Sequence, residues 1–179
     1  RRTNPRLIYL CDPVMGDNDI GFFVPVDLQA AFRERLVPLA DIVTPNAFEL
    51  GALSGTPVIT PADVAAAAAS IGTATVITTG VSAEGDSVCT MLAEAGALWV
   101  VTTARIDARP AGTGDLFTGL FAARLANGFA ARPAMEAAVT GTFEALKRTA
   151  RGAWEEMPIV AGIAAIAEPG EVFPAVRIL

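Results

Sequence analysis

An α/β layer fold with a mainly parallel sheet is the fold class this sequence predicts, and three features predict it. Short runs rich in β-branched residues, such as Ile42-Val43-Thr44 and Thr75 to Thr79, alternate with longer stretches of helical period. Polar residues stand where those runs end. A glycine-rich turn, Gly112-Thr113-Gly114-Asp115, opens an apolar helix. Strands that alternate with helices bury both faces of a parallel sheet. A chain of 179 residues can bury one good core, so a single domain over 1–179, or a large part of one, is expected.

Taken in order, Leu7 to Cys11 reads as a buried strand ended by Asp12-Pro13, and a glycine-containing loop from Gly16 to Gly21 follows. Pro25 to Leu36 carries Val26, Ala30, Phe32 and Leu36 at helical spacing. Ile42-Val43-Thr44 is a second strand running through Pro45 into a helix that starts near Asn46. Thr60-Pro61-Ala62-Asp63 is a helix start: a threonine cap, proline at the first helical position and a carboxylate three residues after the cap. The alanine run behind it is therefore helix. Thr75 to Thr79 is a third strand, and Ser87 to Leu92 pairs with Leu98 to Thr103 around Glu94-Ala95-Gly96. Helices follow over about Asp115 to Ala126, Pro133 to Ala150 and Pro158 to Ala167.

Charge and composition narrow the function. The formal net charge of -6 argues against nucleic acid, which needs a basic face. No apolar stretch reaches the length of a membrane span, and Arg1-Arg2 leads into no credible signal core, so a cytoplasmic protein is expected. With no initiator methionine and a strand almost at its start, the chain is expected to be a fragment. Cys11 and Cys89 lie in strand-like runs without metal spacing and read as buried structural side chains. There is no histidine, which removes Ser-His and Cys-His schemes and leaves carboxylates as acid–base groups.

In open α/β sheets ligands collect at the carboxyl ends of strands. Asp12, Thr44, Asn46, Thr78 and Thr79 all occupy that class of position. The Gly112 turn adds backbone N–H groups at a helix start, where the helix dipole favours an anion and glycine admits a phosphate closely. Asp115 falls in the first turn beside them, a carboxylate able to take a proton next to a site that attracts phosphoryl oxygens. The combination reads as phosphoryl transfer to a hydroxyl. The plainer alternative is a turn in which Asp115 only caps the helix. No Gly-x-x-x-x-Gly-Lys-[Ser/Thr] occurs, and Phe117 stands where a dinucleotide fingerprint needs its third glycine.

Four segments, Cys11-Asp12-Pro13-Val14-Met15-Gly16-Asp17, Thr44-Pro45-Asn46-Ala47-Phe48-Glu49, Val76-Ile77-Thr78-Thr79 and Gly112-Thr113-Gly114-Asp115, are similar in order and spacing to the pyridoxal kinases of the ribokinase-like superfamily. The likeness covers nearly the whole chain. It implies a ribokinase-like three-layer fold and magnesium-ATP-dependent phosphorylation of the 5'-hydroxymethyl group of pyridoxal, pyridoxine or pyridoxamine. By that resemblance Asp115 is the base and the residue at the substrate hydroxyl, and Gly112, Thr113 and Gly114 form the anion hole. Asp12, Asp17, Asn46, Thr78, Thr79 and Thr113 serve ATP. Asp12 and Glu49 serve the metal, with Asn46 and Glu49 matching the family's Asn-x-x-Glu pair. Glu49 would otherwise be a solvated carboxylate on a first helical turn, and Asp12 an ordinary strand-ending turn. Asp12, Thr44 and Thr78 also match positions that offer oxygens to a monovalent cation such as potassium, and Phe22 and Phe23 would belong to a flap over ATP. A homodimer is the assembly the family implies.

The chain departs from the family at the front, because the half that embraces the pyridine ring in relatives has no counterpart before Leu7. A related kinase for a sugar or hydroxymethylpyrimidine, or an inactive nucleotide-binding remnant, are the competing readings. Sugar kinases of the superfamily more often carry Gly-Ala-Gly-Asp, and hydroxymethylpyrimidine kinases tend to place cysteine where Asp115 stands.

Overall fold

The computed structural model describes residues 3–170 and 172–179; the Arg1-Arg2 pair considered as a targeting signal lies outside them. A central sheet is flanked by helices; its strands lie in the order β1 (Leu10–Cys11), β4 (Ile42–Val43), β5 (Thr75–Ser82), β6 (Ser87–Glu94), β7 (Ala97–Ala104) and β8 (Val176–Arg177), and β2 (Gly16–Asp17) pairs with β3 (Gly21–Phe22) in a separate ribbon. The chain divides into two compact units: residues 1–81, 91–98 and 179, and residues 82–90 with 99–178.

In the first unit β1 (Leu10–Cys11) runs parallel to β4 (Ile42–Val43), which runs parallel to β5 (Thr75–Ser82). Cys11 sits opposite Val43 and Val43 opposite Val76, so three apolar residues stack across the parallel part. Cys11, Met15, Val37, Val43 and Leu53 form a core that Tyr9 and Phe32 cover. The first strand is shorter than Leu7 to Cys11. Tyr9 spends its N–H on the Asp41 carboxylate at 2.8 Å, and its carbonyl receives the N–H groups of Asp41 and Ile42. The backbone before Leu10 is thus tied to the turn ahead of β4, and Leu7 and Ile8 are exposed.

The loop expected over Gly16 to Gly21 is a small hairpin, β2 (Gly16–Asp17) against β3 (Gly21–Phe22). The helix read from Pro25 begins as α1 (Val26–Ala31) and continues as a π-helical turn over Phe32–Leu36 and a 3-10 turn over Val37–Leu39. Pro38 lacks the N–H that further α-helical turns would use. Helix α2 (Ala47–Ser54) starts at Asn46 and ends at Gly55, which takes φ of 78°. Helix α3 (Pro61–Ser70) has the predicted start: Thr60 accepts the Asp63 N–H and the Asp63 carboxylate accepts the Thr60 N–H. β6 (Ser87–Glu94) and β7 (Ala97–Ala104) are joined by Ala95 and Gly96, both at positive φ, the geometry of a two-residue hairpin turn.

The second unit is built on α4 (Thr113–Ala126), α5 (Ala131–Gly152) and α6 (Ile159–Ala167). Gly141 of α5 is where the three meet, since a side chain there would collide with the Ile166 carbonyl and the Leu120 side chain. Phe117 and Phe121 stack beneath α4, and Arg124 donates to the Ala167 carbonyl. A short last strand, β8 (Val176–Arg177), pairs antiparallel with β7 and is absent from the sequence reading. Its approach is held from α5, where Thr140 accepts the Phe173 N–H and Glu136 the Ala175 N–H.

Candidate active site

The predicted site residues fall in both units. In the first, the parallel strands end side by side. Thr44 follows β4, buried, with its N–H donated to the Cys11 carbonyl at 3.0 Å. Pro45 then receives the Thr79 N–H at 3.0 Å, and Asn46 bridges Thr79 in parallel register, so α2 starts directly beside the end of the parallel part. Thr78 is fully buried and its hydroxyl oxygen has no hydrogen-bond partner. A buried hydroxyl left unpaired costs about 1–3 kcal/mol. Asp12 lies half-buried after β1, close enough to Glu49 for its charge to act on that carboxyl.

Asn46 and Glu49 form a reciprocal cap on α2. The Asn46 side-chain oxygen accepts the Glu49 N–H at 2.9 Å, and Glu49 Oε2 accepts the Asn46 N–H at 2.9 Å. Glu49 is not the solvated carboxylate that its sequence position also allowed. It is 4 % exposed, and its Oε1 accepts the N–H groups of Met15 at 2.8 Å and Gly16 at 3.4 Å. Burial pushes the Glu49 carboxyl up; the three main-chain N–H groups pull it down, and the Asp12 charge raises it further. Asn46 Nδ2 donates to the Gly16 carbonyl at 2.8 Å. Asp17 is exposed on the hairpin, and its Oδ1 accepts the Asp19 N–H at 3.1 Å, closing the hairpin's tip. Phe22 packs its ring 4.8 Å from that of Phe48, and both Phe22 and Phe23 are exposed.

In the second unit Gly112 is the N-cap of α4 with φ of 80°, a backbone that favours glycine. The first N–H groups of the helix, from Thr113, Gly114 and Asp115, precede any possible intrahelical partner. A side chain at Gly114 would meet nothing within 4 Å, so the turn is open above the backbone. Thr113 donates its hydroxyl to the Pro110 carbonyl at 3.0 Å, which turns that proton inward. Asp115 is exposed, with one carboxylate oxygen 3.6 Å from where a Gly112 side chain would begin. Main-chain N–H groups without intrahelical partners and an accessible carboxylate thus stand on one helix start.

Among the described residues no group of three or more His, Cys, Asp and Glu could hold a metal ion. No helix among them is long and apolar enough to cross a membrane. Cys11 and Cys89 are free and buried, as expected of structural side chains.

Solved structures of the same architecture define the class. Over 99% of this chain and 64% of the other, pyridoxal kinase from Leishmania donovani in complex with ADP and pyridoxamine aligns with a TM-score of 0.89 at 24% identity. A putative phosphomethylpyrimidine kinase from Bacteroides thetaiotaomicron, in a form with pyridoxal, aligns with a TM-score of 0.85 at 23% identity over 98% of this chain and 66% of the other. The fold is the ribokinase-like α/β fold. Within it, the model of the phosphomethylpyrimidine kinase family matches residues 3–159, and the chain belongs to that family. In sequence it is 34% identical to pyridoxal kinase PdxY of Rubrobacter xylanophilus over 99% of this chain and 64% of that protein. It is 34% identical to pyridoxal kinase PdxY of Leifsonia xyli over 99% of this chain and 65% of that protein. The chain therefore spans less than two thirds of the length of these relatives.

Proposed function

We propose that this chain is the nucleotide-binding and catalytic portion of a pyridoxal kinase, transferring the γ-phosphoryl group of ATP to the 5'-hydroxymethyl group of a B6 vitamer. The observation that carries the reading is the start of α4, where an open glycine cradle and an accessible Asp115 share one helical turn. Relatives named pyridoxal kinase at 34% identity support the choice of acceptor. In the reaction the hydroxymethyl oxygen forms a bond to the γ-phosphorus, the bond from that phosphorus to the β,γ-bridging oxygen breaks, and ADP leaves. Asp115 takes the hydroxyl proton on its carboxylate. The N–H groups after Gly112 act as the anion hole for the phosphoryl oxygens, where charge spreads in a loose transition state.

ATP binding falls to Asp12, Thr78, Thr79 and Thr113, with Asp17 and Asn46 acting at the hairpin. Magnesium, when bound, neutralises phosphate charge. It keeps several waters and needs few protein carboxylates, so the absence of a three-residue metal cluster among the described residues does not conflict with it. Asp12 is the carboxylate that would hold it. The unpaired Thr78 hydroxyl suits a monovalent cation such as potassium, with Asp12 and Thr44 supplying further oxygens.

A second acceptor, a hydroxymethyl- or phosphomethylpyrimidine, is favoured by the family to which the chain belongs. Measuring ADP release from magnesium-ATP with pyridoxal, hydroxymethylpyrimidine and ribose in parallel separates these readings from each other and from an inactive remnant. Asp115→Asn is expected to lower turnover ~10²–10⁴-fold while nucleotide affinity stays within a small factor, because the amide keeps the size but cannot take the proton. Turnover near that of the parent chain would remove Asp115 from the role of base.

A further inference from the structure

The Asn46-x-x-Glu49 pair is committed to the hairpin ahead of it. Glu49 is buried, and three main-chain N–H groups converge on its two oxygens, two of them from Met15 and Gly16 at the root of the β2-β3 hairpin. The same root is held a second time by Asn46 Nδ2 on the Gly16 carbonyl. Met15 in turn accepts the Phe23 N–H at 3.1 Å, so both strands of the hairpin terminate on the residue that Glu49 grips. Space enforces the same seating: a Cβ on Gly16 would lie 2.5 Å from the Phe48 ring and 2.7 Å from the Gly21 carbonyl oxygen. A carboxylate has about four lone-pair sites; three are taken here, and with the group 4% exposed a metal in direct contact would have one site left and little open approach to it.

We propose that Asn46 and Glu49 are positioning residues that clasp the Gly16–Phe22 hairpin to the start of α2, and that Glu49 is not a direct ligand of the metal. The clasp stands on the hydrogen bonds alone; its consequence for nucleotide binding rests on the kinase reading above.

Amide hydrogen exchange of the 179-residue chain tests it. Asn46→Ser keeps a capping oxygen for α2 and removes only the donor to Gly16. Glu49→Ala removes the whole grip, and Phe22→Ala loosens the hairpin from its other side without touching either residue. Each variant is expected to speed exchange across residues 15–23, by about tenfold or more for Met15 and Gly16 in Glu49→Ala, with α5 amides unchanged as the internal control for folding. Magnesium chloride alone is expected to leave exchange at residues 15–23 of the parent chain as it is. If Asn46→Ser leaves hairpin exchange unaltered while Phe22→Ala, which shows that loosening is detectable, speeds it, the clasp is overturned, whether or not Glu49→Ala folds. Magnesium-dependent exchange at Met15 and Gly16 that disappears in Glu49→Ala would overturn it in favour of a metal ligand. Calorimetric titration with magnesium-ATP separates the two levels of the argument. Weaker nucleotide binding in Asn46→Ser with an unmoved magnesium midpoint is the expected result, whereas altered exchange in a chain that binds no nucleotide keeps the clasp and removes the kinase reading.

Discussion

Burial holds the Glu49 carboxyl above its usual range, against the pull of the Met15, Asn46 and Gly16 N–H groups. A carboxyl whose folded-state pKa is raised keeps its proton more tightly in the folded chain than in the unfolded one. Its contribution to stability is therefore full below its ordinary value of 4.5 and declines as pH rises through the raised value. The ionised form is nevertheless the one that accepts at both oxygens, so the hairpin is held best where this group costs the fold most. Urea unfolding of the parent chain and Glu49→Gln as a function of pH is expected to show the parent losing ground to the variant as pH rises from 4.5. A difference that does not vary with pH would contradict the assignment. Gly112 carries a separate residue-scale prediction. At φ of 80°, an alanine there is strained by about 1 kcal/mol, and its methyl would sit 3.6 Å from an Asp115 oxygen. Gly112→Ala should lower turnover more than it lowers the thermal midpoint, as read by parallel assay and melting curve.

Among the elements, α3 is the one whose start can be tested most cleanly. The Thr60 and Asp63 side chains exchange hydrogen bonds with each other's main chain, and the Thr60 N–H is the leading cause of the lowered Asp63 carboxyl. A lowered carboxyl contributes stability that is present above its unfolded value of 3.8 and is lost as pH falls through the folded one. Thr60→Ala is expected to cost about 0.5–2 kcal/mol in denaturant unfolding. The loss should shrink once the solution is acid enough to protonate Asp63. An equal cost at neutral and strongly acid pH would mean that the Thr60 hydroxyl contributes nothing through the Asp63 carboxylate, since the variant keeps the main-chain N–H of residue 60. At the other extreme of packing, Gly141 has no room for a side chain between Leu120 and the Ile166 carbonyl, so Gly141→Val should unfold the helices of the second unit rather than only loosen them.

At the scale of the whole molecule, β1 is the outer strand of the six, and Leu7 and Ile8 beside it are 51% and 57% exposed. An apolar strand edge is a template for pairing with another chain. Sedimentation velocity of the 179-residue chain is expected to show association that grows with concentration and falls in Leu7→Lys; a monomer at every concentration would contradict this. The same measurement reports on the homodimer that the family resemblance implies. Much of the architecture is legible without coordinates because its causes are local. Thr60-Pro61-Ala62-Asp63 satisfies its own helix start, Asn46 and Glu49 lie three residues apart on one turn, and Gly112 takes a backbone that glycine favours. The tertiary structure decided what depends on residues far apart in the chain. Leu7 and Ile8 read as buried but are exposed, because Asp41 takes the Tyr9 N–H from the ladder. β8 is two residues long and exists only because β7 is there to pair with it. The unpaired Thr78 hydroxyl follows from burial that no spacing reveals. Glu49 marks the boundary most sharply. Its place in the first turn of a helix is a matter of sequence, but which groups its oxygens accept was set by a hairpin thirty-odd residues earlier, brought against α2 by the parallel pairing of β1 with β4.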